Sequence, residues 1–263
     1  MTATLDLSSA LGLRVANIDA LALRIANTDI WTSTAPPDAS HLFAAWACDE
    51  GSGTSIIDYS PNGRNMTITG SNSWGTGHGY TNAFQPALVS GAGASFLYPG
   101  GIAAPDLTGD VTIMGWVKHL GAATDGTFAF GLFSAGGTAR SALFTYRNLS
   151  TVASSPEVTY RDSASTLFSL GTNGTTATDN TNYHHYAVVH HTSGAVEIYK
   201  DGVLFSSSTP SANPIGSTVR IAGLGPAVSN ITTGGVLVND FRVFSSAVSV
   251  DDINAWMGIK VHP

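Results

Sequence analysis

Charge and cysteine are both scarce in this 263-residue chain. Charged residues make up 11% of it, where an average soluble domain has about 25%. The 11 Lys and Arg form no cluster and are outnumbered by 18 Asp and Glu, for a formal charge of -7. A nucleic-acid partner is therefore not expected, because such binding needs a basic patch or stripe. The single cysteine, Cys48, allows no internal disulfide and points to synthesis in a reducing cytosol. No apolar run approaches the ~18–20 residues of a membrane span, so no membrane association is expected. The opening MTATLDLSSALGLRV lacks a basic start and an unbroken apolar stretch, so it does not read as a secretory signal.

What the chain has in quantity is glycine, 29 residues of it, with abundant Ser and Thr. Short runs of Val, Ile, Thr and aromatic residues lie between Gly and Pro breaks, the pattern of an all-β fold with many turns. Strands are predicted over Leu42–Cys48, Met66–Thr69, Asp110–His119, Thr127–Phe133, Ser141–Tyr146, Glu157–Arg161 and Thr166–Leu170. Others follow over Tyr183–His191, Ala195–Lys200, Val203–Ser206, Val219–Gly223 and Asn239–Phe244. Asp201-Gly202 marks a tight turn, and Ser249 with Asp251 and Asp252 caps a short terminal helix. About a dozen strands with regular turns imply a sandwich or jelly roll. Trp116, amid Val111, Ile113 and Val117, is expected to bridge the two sheets.

Residues 1–40 are a different kind of sequence, an arm and linker preceding a domain at 41–263. Ala10–Asp19 (ALGLRVANID) and Ala20–Asp29 (ALALRIANTD) form a ten-residue near-repeat. Leu11, Val15, Ile18, Ala22 and Ile25 follow a heptad spacing. Leu11, Leu13, Val15, Leu21, Leu23 and Ile25 all fall on odd positions, a strand alternation. Helix and strand both remain open. Either way the arm is too apolar to stay in water, and it is expected to dock on other subunits rather than on its own domain.

Four segments together resemble the laminin-G-like jelly rolls of the concanavalin A-like lectin/glucanase superfamily. They are Trp46–Gly70 (WACDEGSGTSIIDYSPNGRNMTITG), Val111–Lys118 (VTIMGWVK), Tyr183–Leu204 (YHHYAVVHHTSGAVEIYKDGVL) and Asn239–Trp256 (NDFRVFSSAVSVDDINAW). The resemblance implies an all-β concanavalin A-like jelly-roll sandwich over roughly residues 41–257, with the arm outside it. It also implies a calcium-like ion clasped by the loop bearing Asp58 and Asn62 together with Asp240. On the residues alone, that loop reads equally as an Asx-turn in which Asp58 and Asn62 bond their own backbone. The low charge, the lone cysteine and the apolar arm resemble phage virion proteins that carry such domains. The expectation is then a non-enzymatic structural protein of the head, spike or tail, made in the host cytoplasm. Its expected partners are other virion proteins and sister copies, with a trimer implied by the resemblance. The alternative is a lectin-like module contacting host surface glycans.

Catalysis is not expected. Glucanases of the superfamily use carboxylates spaced Glu-x-Asp-x-Glu on one strand, and retaining hydrolysis needs two carboxyls about 5–5.5 Å apart. The chain's glutamates are Glu50, Glu157 and Glu197, and neither EVTYRD nor EIYKD supplies that spacing. His184, His185, His190 and His191 lie on one predicted strand, where neighbours face opposite ways, so no pair grips one ion unaided. They read as a polar rim with a satisfied core histidine. No nucleophile elbow, P-loop or dinucleotide glycine motif is present. Trp74, Tyr80, Phe84, Phe96 and Tyr98 suit sugar stacking, but filling the core or an interface is the expected role.

Overall fold

The computed structural model describes residues 22–25, 28–32, 39–68, 72–85, 109–120, 127–134, 140–147, 155–161, 167–171, 181–208, 220–224 and 236–262. In chain order the first strands are β1 (Ala22–Ile25), β2 (Thr28–Thr32), β3 (Leu42–Trp46), β4 (Ser55–Ile56), β5 (Met66–Thr67) and β6 (Ser73–Gly75). Then come β7 (Ala83–Gln85), β8 (Val111–His119), β9 (Thr127–Ser134), β10 (Arg140–Arg147), β11 (Ser155–Arg161) and β12 (Leu167–Gly171). The last are β13 (His184–His190), β14 (Val196–Lys200), β15 (Val203–Ser207), β16 (Arg220–Leu224) and β17 (Val236–Phe244), followed by helix α1 (Val250–Met257). The chain divides into two compact units, 1–37 and 38–263.

In the first unit, β1 and β2 pair antiparallel, with Leu23 opposite Trp31 and Arg24 opposite Asp29. Over these residues the backbone is extended, so Leu23 and Ile25 follow the strand alternation and not the heptad. Leu11, Leu13, Val15, Ile18 and Leu21 lie outside the described residues.

The second unit is an antiparallel β-sandwich. One sheet has the order β12-β11-β10-β9-β16; the other runs β15-β14-β13-β8-β17-β7-β6, with β3 also paired to β17. Residue parity sorts the larger sheet into two faces. Val111, Ile113 and Val117 of β8, Tyr186 and Val188 of β13 and Val238 and Val243 of β17 point into the inter-sheet core with Trp46 and Phe241. Trp46 is fully buried and stacks on Phe241 at 5.2 Å between ring centroids. Leu170 of β12 packs against this core.

The opposite face carries Met114, Ala187, Val189 and Phe244, covered by Ile253 and Trp256 of α1. Ser249 caps α1 by accepting from the Asp252 backbone N–H, with Asp251 and Asp252 in the first turn. Arg242 lies 1% exposed beneath the helix end and donates to the carbonyls of Trp256 and Ile259. It thereby adds a donor to the Trp256 carbonyl of the last turn, which also accepts the Ile259 N–H, and ties down the Ile259 carbonyl just past the helix.

Trp116 corrects its expectation. It faces away from Val111, Ile113 and Val117, beside Asn239 and His185 in neighbouring strands. Its even position dictates this on a strand whose core residues are odd, and Trp46 fills the core in its place.

Candidate functional site

The site begins with an irregularity in β17. Between Asn239 and Arg242 the pairing with β8 shifts register, the signature of a bulge. Asp240 sits there at φ 50°, and Cys48, just beyond the end of β3, at φ 59°. Positive φ is uncommon for a residue with a side chain, and most tolerated by Asn and Asp. Gly115 lies against the bulge, where a Cβ would come within 3.2 Å of the Asn239 carbonyl oxygen and 3.3 Å of the Phe241 Cα.

The bulge turns two polar side chains onto the surrounding loops. The buried Asn239 amide donates to the carbonyls of Ala47, Cys48 and Asn82, and its oxygen accepts from the His78 N–H at 2.9 Å. Asp240 Oδ1 accepts from the Tyr80 hydroxyl and from the Val261 N–H. Burial, then the bond to Asp240, holds the Tyr80 hydroxyl far above its ordinary pKa. Four segments distant in sequence meet at this end of the sandwich: 47–50, 76–82, 239–240 and 260–262.

Aromatic rings, imidazoles and carboxylates line the resulting face. Tyr59 is 44% exposed, with its ring 4.4 Å from that of His262. His262 Nε2 is 3.1 Å from Asp49 Oδ1, and its ring lies 5.7 Å from that of Tyr80. Glu50 accepts the Ile57 N–H through Oε1, while the buried Oε2 has no hydrogen-bond partner among the described residues. Burial, partly offset by the Ile57 bond, raises the Glu50 pKa. Lys260 packs its ammonium over the Tyr80 ring at 4.9 Å and donates to the Gly79 carbonyl. Across the 76–82 loop, His78 stacks on Trp116 at 3.8 Å, and Tyr183 donates to the Thr76 carbonyl.

The residues expected to hold calcium are otherwise occupied. Asp58 Oδ1 accepts from the Ala45 and Ser60 N–H groups at 2.9 and 2.8 Å. Its Oδ2 accepts from the Ser60 hydroxyl at 2.8 Å and the Arg64 N–H at 2.6 Å. Asn62 turns its NH₂ inward and donates to the carbonyls of Leu42 and Phe43. A calcium ion takes oxygens through their lone pairs, and four protein donors already fill those of Asp58. Asp58 and Asn62 therefore close an Asx-type clasp on β3 and do not fit the ion, while Asp240 serves the bulge. Among the described residues, no group of three or more His, Cys, Asp or Glu is placed to hold a metal.

The histidines of Tyr183–His191 sit in different settings. His184 Nδ1 lies 2.7 Å from Asp201, and His191 is bracketed by Asp110 at 3.7 Å and Glu197 at 3.9 Å. His185 is fully buried, and neither ring nitrogen has a hydrogen-bond partner among the described residues. Burial drives its pKa down to about 3. Glu197 accepts the Tyr199 hydroxyl at 2.7 Å. Phe84 fills the core and Trp74 packs on it, whereas Phe96 and Tyr98 lie outside the described residues. Sequence reasoning placed Asp49, Glu50 and Tyr59 in the Trp46–Gly70 segment without giving them a binding role, and it missed His262, which no local motif connects to them.

Known proteins bear on the fold. The botulinum neurotoxin serotype D ligand-binding domain, solved with N-acetylneuraminic acid, superposes with a TM-score of 0.59 at 16% identity, covering 83% of this chain and 51% of that one. The receptor-binding domain of the C/D mosaic neurotoxin gives 0.60 at 16%, covering 84% and 52%. That of the type G neurotoxin gives 0.57 at 14%, covering 82% and 50%. The chain thus spans about half the length of these structures. No curated protein matches the sequence. A laminin-G family model, described as concanavalin A-like lectin/glucanases superfamily, matches residues 90–254. With the sandwich topology and a match over more than half its length, the chain belongs to the concanavalin A-like lectin/glucanase superfamily.

Proposed function

We propose that the chain is a non-enzymatic interaction module whose jelly roll binds saccharides at the face around Tyr59. The carrying observation is the half-exposed Tyr59 ring set beside the His262–Asp49 pair. An aromatic ring receives the apolar C–H face of a sugar, and flanking imidazole and carboxylate groups receive its hydroxyls. The receptor-binding role of the neurotoxin domains, one solved with a sugar, supports an interaction role on this fold. Fold alone does not fix function, so the reading rests on the face itself.

A glycan array tests it. Binding should be detectable, and Tyr59→Ala should weaken it at least about tenfold with unchanged circular dichroism, the loss expected of a central aromatic contact. A silent array, or a Tyr59→Ala variant that binds as before, defeats the reading. Reducing-sugar release from the bound glycans should stay at background; release abolished by Glu50→Gln would make the protein a hydrolase instead.

The hairpin at Ala22–Thr32 favours a second, compatible role. A two-stranded hairpin alone is marginally stable in water, and it follows a near-copy of its own sequence rich in leucine. In this reading the arm finds cover on sister arms in a closed homo-oligomer and anchors the jelly roll in a phage virion. Deleting residues 1–36 should leave a folded monomer by light scattering. A truncated chain that keeps the full oligomer places the interface on the sandwich and refutes the arm's role.

A further inference from the structure

Resting on the saccharide reading above, we infer that the Tyr59 face selects uncharged sugars and rejects acidic ones, because Asp49 and Glu50 border the stacking ring. Asp49 holds His262 against Tyr59, and Glu50, bonded to the Ile57 N–H with its other carboxylate oxygen buried, adds a second negative charge beside the ring. The Asp49 carboxylate accepts hydrogen bonds, and both carboxylates repel anions, so the border matches sugar hydroxyls and opposes a sugar carboxylate.

The surroundings keep the balance negative. Asp240 lies behind Tyr80, bonded to its hydroxyl, and adds a third carboxylate. Lys260 is the cation packed on the same ring, but it donates to the Gly79 carbonyl instead of reaching toward Tyr59. After burial, the charges of Asp49 and Glu50 raise the Tyr59 hydroxyl pKa, so both carboxylates act on this ring. The whole chain carries a formal charge of -7, which adds a long-range barrier to anionic ligands.

The experiment uses the full chain and paired probes: one set of galactose-terminated oligosaccharides, and the same set capped with sialic acid or sulfated. The uncapped probes should bind at least about tenfold more tightly, about 1.4 kcal/mol. In Asp49→Asn/Glu50→Gln that ratio should fall toward one. On the unaltered chain, raising the salt concentration should shrink it too, since exposed charges are screened; this arm stands if the double variant fails to fold. Equal or tighter binding of the capped probes, with Tyr59→Ala still abolishing it, overturns the selectivity and leaves the saccharide face intact. Absence of binding to both sets overturns the saccharide reading and this inference with it.

Discussion

Replacing Asp58 with alanine tests whether protein donors alone hold the loop that follows the opening strand. The carboxylate accepts four hydrogen bonds at 2.6–2.9 Å and is 6% exposed. A hydrogen bond to a charged group contributes about 1.5–3 kcal/mol, and a buried donor left unmatched costs about 1–3 kcal/mol. The four bonds share one acceptor group and do not add. The Ser60 hydroxyl can turn to water, but the Ala45 N–H at the heart of β3 cannot. The expected loss is about 3–5 kcal/mol, or about 10 °C in Tm at about 2–4 °C per kcal/mol for a domain of this size. Asp58→Asn keeps Oδ1 but aims an NH₂ at the Arg64 N–H, donor against donor, and should lose about half as much. Urea unfolding followed by tryptophan fluorescence reads both. A loss below about 1 kcal/mol for the alanine variant refutes the clasp. The same geometry predicts that millimolar calcium or a chelator leaves the Tm unmoved. A calcium site filled at a hundredfold excess over its Kd would add about 2.7 kcal/mol, so a rise of several degrees that vanishes in Asp58→Ala would reinstate the ion.

Two further perturbations address the covered face of the larger sheet. His185 has its pKa driven down to about 3 by burial, whereas an unfolded imidazole titrates near 6.5. Between those values the unfolded chain binds a proton that the folded chain refuses, so stability falls as pH falls below about 6.5, by about 1.4 kcal/mol per unit. His185→Leu removes this contribution, and its stability relative to the parent should improve by about 2–3 kcal/mol from pH 7 to pH 4.5; unfolding curves that shift in parallel defeat the assignment. Arg242→Met removes the guanidinium donors from the Ile259 carbonyl and from the Trp256 carbonyl, which keeps the Ile259 N–H. It should cost about 2 kcal/mol and speed amide exchange selectively in residues 250–262, and unchanged protection there would show that the clamp does not hold the helix.

Much of the fold was legible because its signals are local. Asp201-Gly202 follows an apolar strand, and both residues take positive φ, at 50° and 76°, as a tight hairpin turn requires. Ser249 with two following aspartates marks the start of α1, and the cap forms there. The short pairs were not legible. Trp74 and Phe84 form a ladder of three residues, and β7 meets β17 only at Val238. Nothing in a run as short as Ala-Phe-Gln distinguishes it from loop, and its link to the rest of the sheet is a strand more than 150 residues away. β8 hid its two-sidedness differently. Helix α1 covers its outer face, so Met114 is as buried as Ile113 and the apolar alternation disappears.

The face proposed to bind saccharides was illegible for a related reason, and the Asn239-Asp240 pair behind it was not read as a bulge. Asn239-Asp240 interrupts an otherwise apolar strand, and these are the residue types that tolerate a left-handed backbone and a bulge. The interruption looks like a solvent-facing pair in the alternation. In the structure both side chains are buried, and their hydrogen bonds reach 47–48, 78, 80, 82 and 261. A regular strand would place Asn239 and Asp240 on opposite faces of the sheet. The bulge lets both serve the same end of the sandwich, and the Asp240 bond to the Val261 N–H sets His262 next to Tyr59. The stacking surface therefore depends on a backbone defect across the sheet from it. Straightening the bulge would dismantle the face without touching Tyr59, Asp49 or Glu50, which is why no inspection of those three residues in sequence could have assembled it.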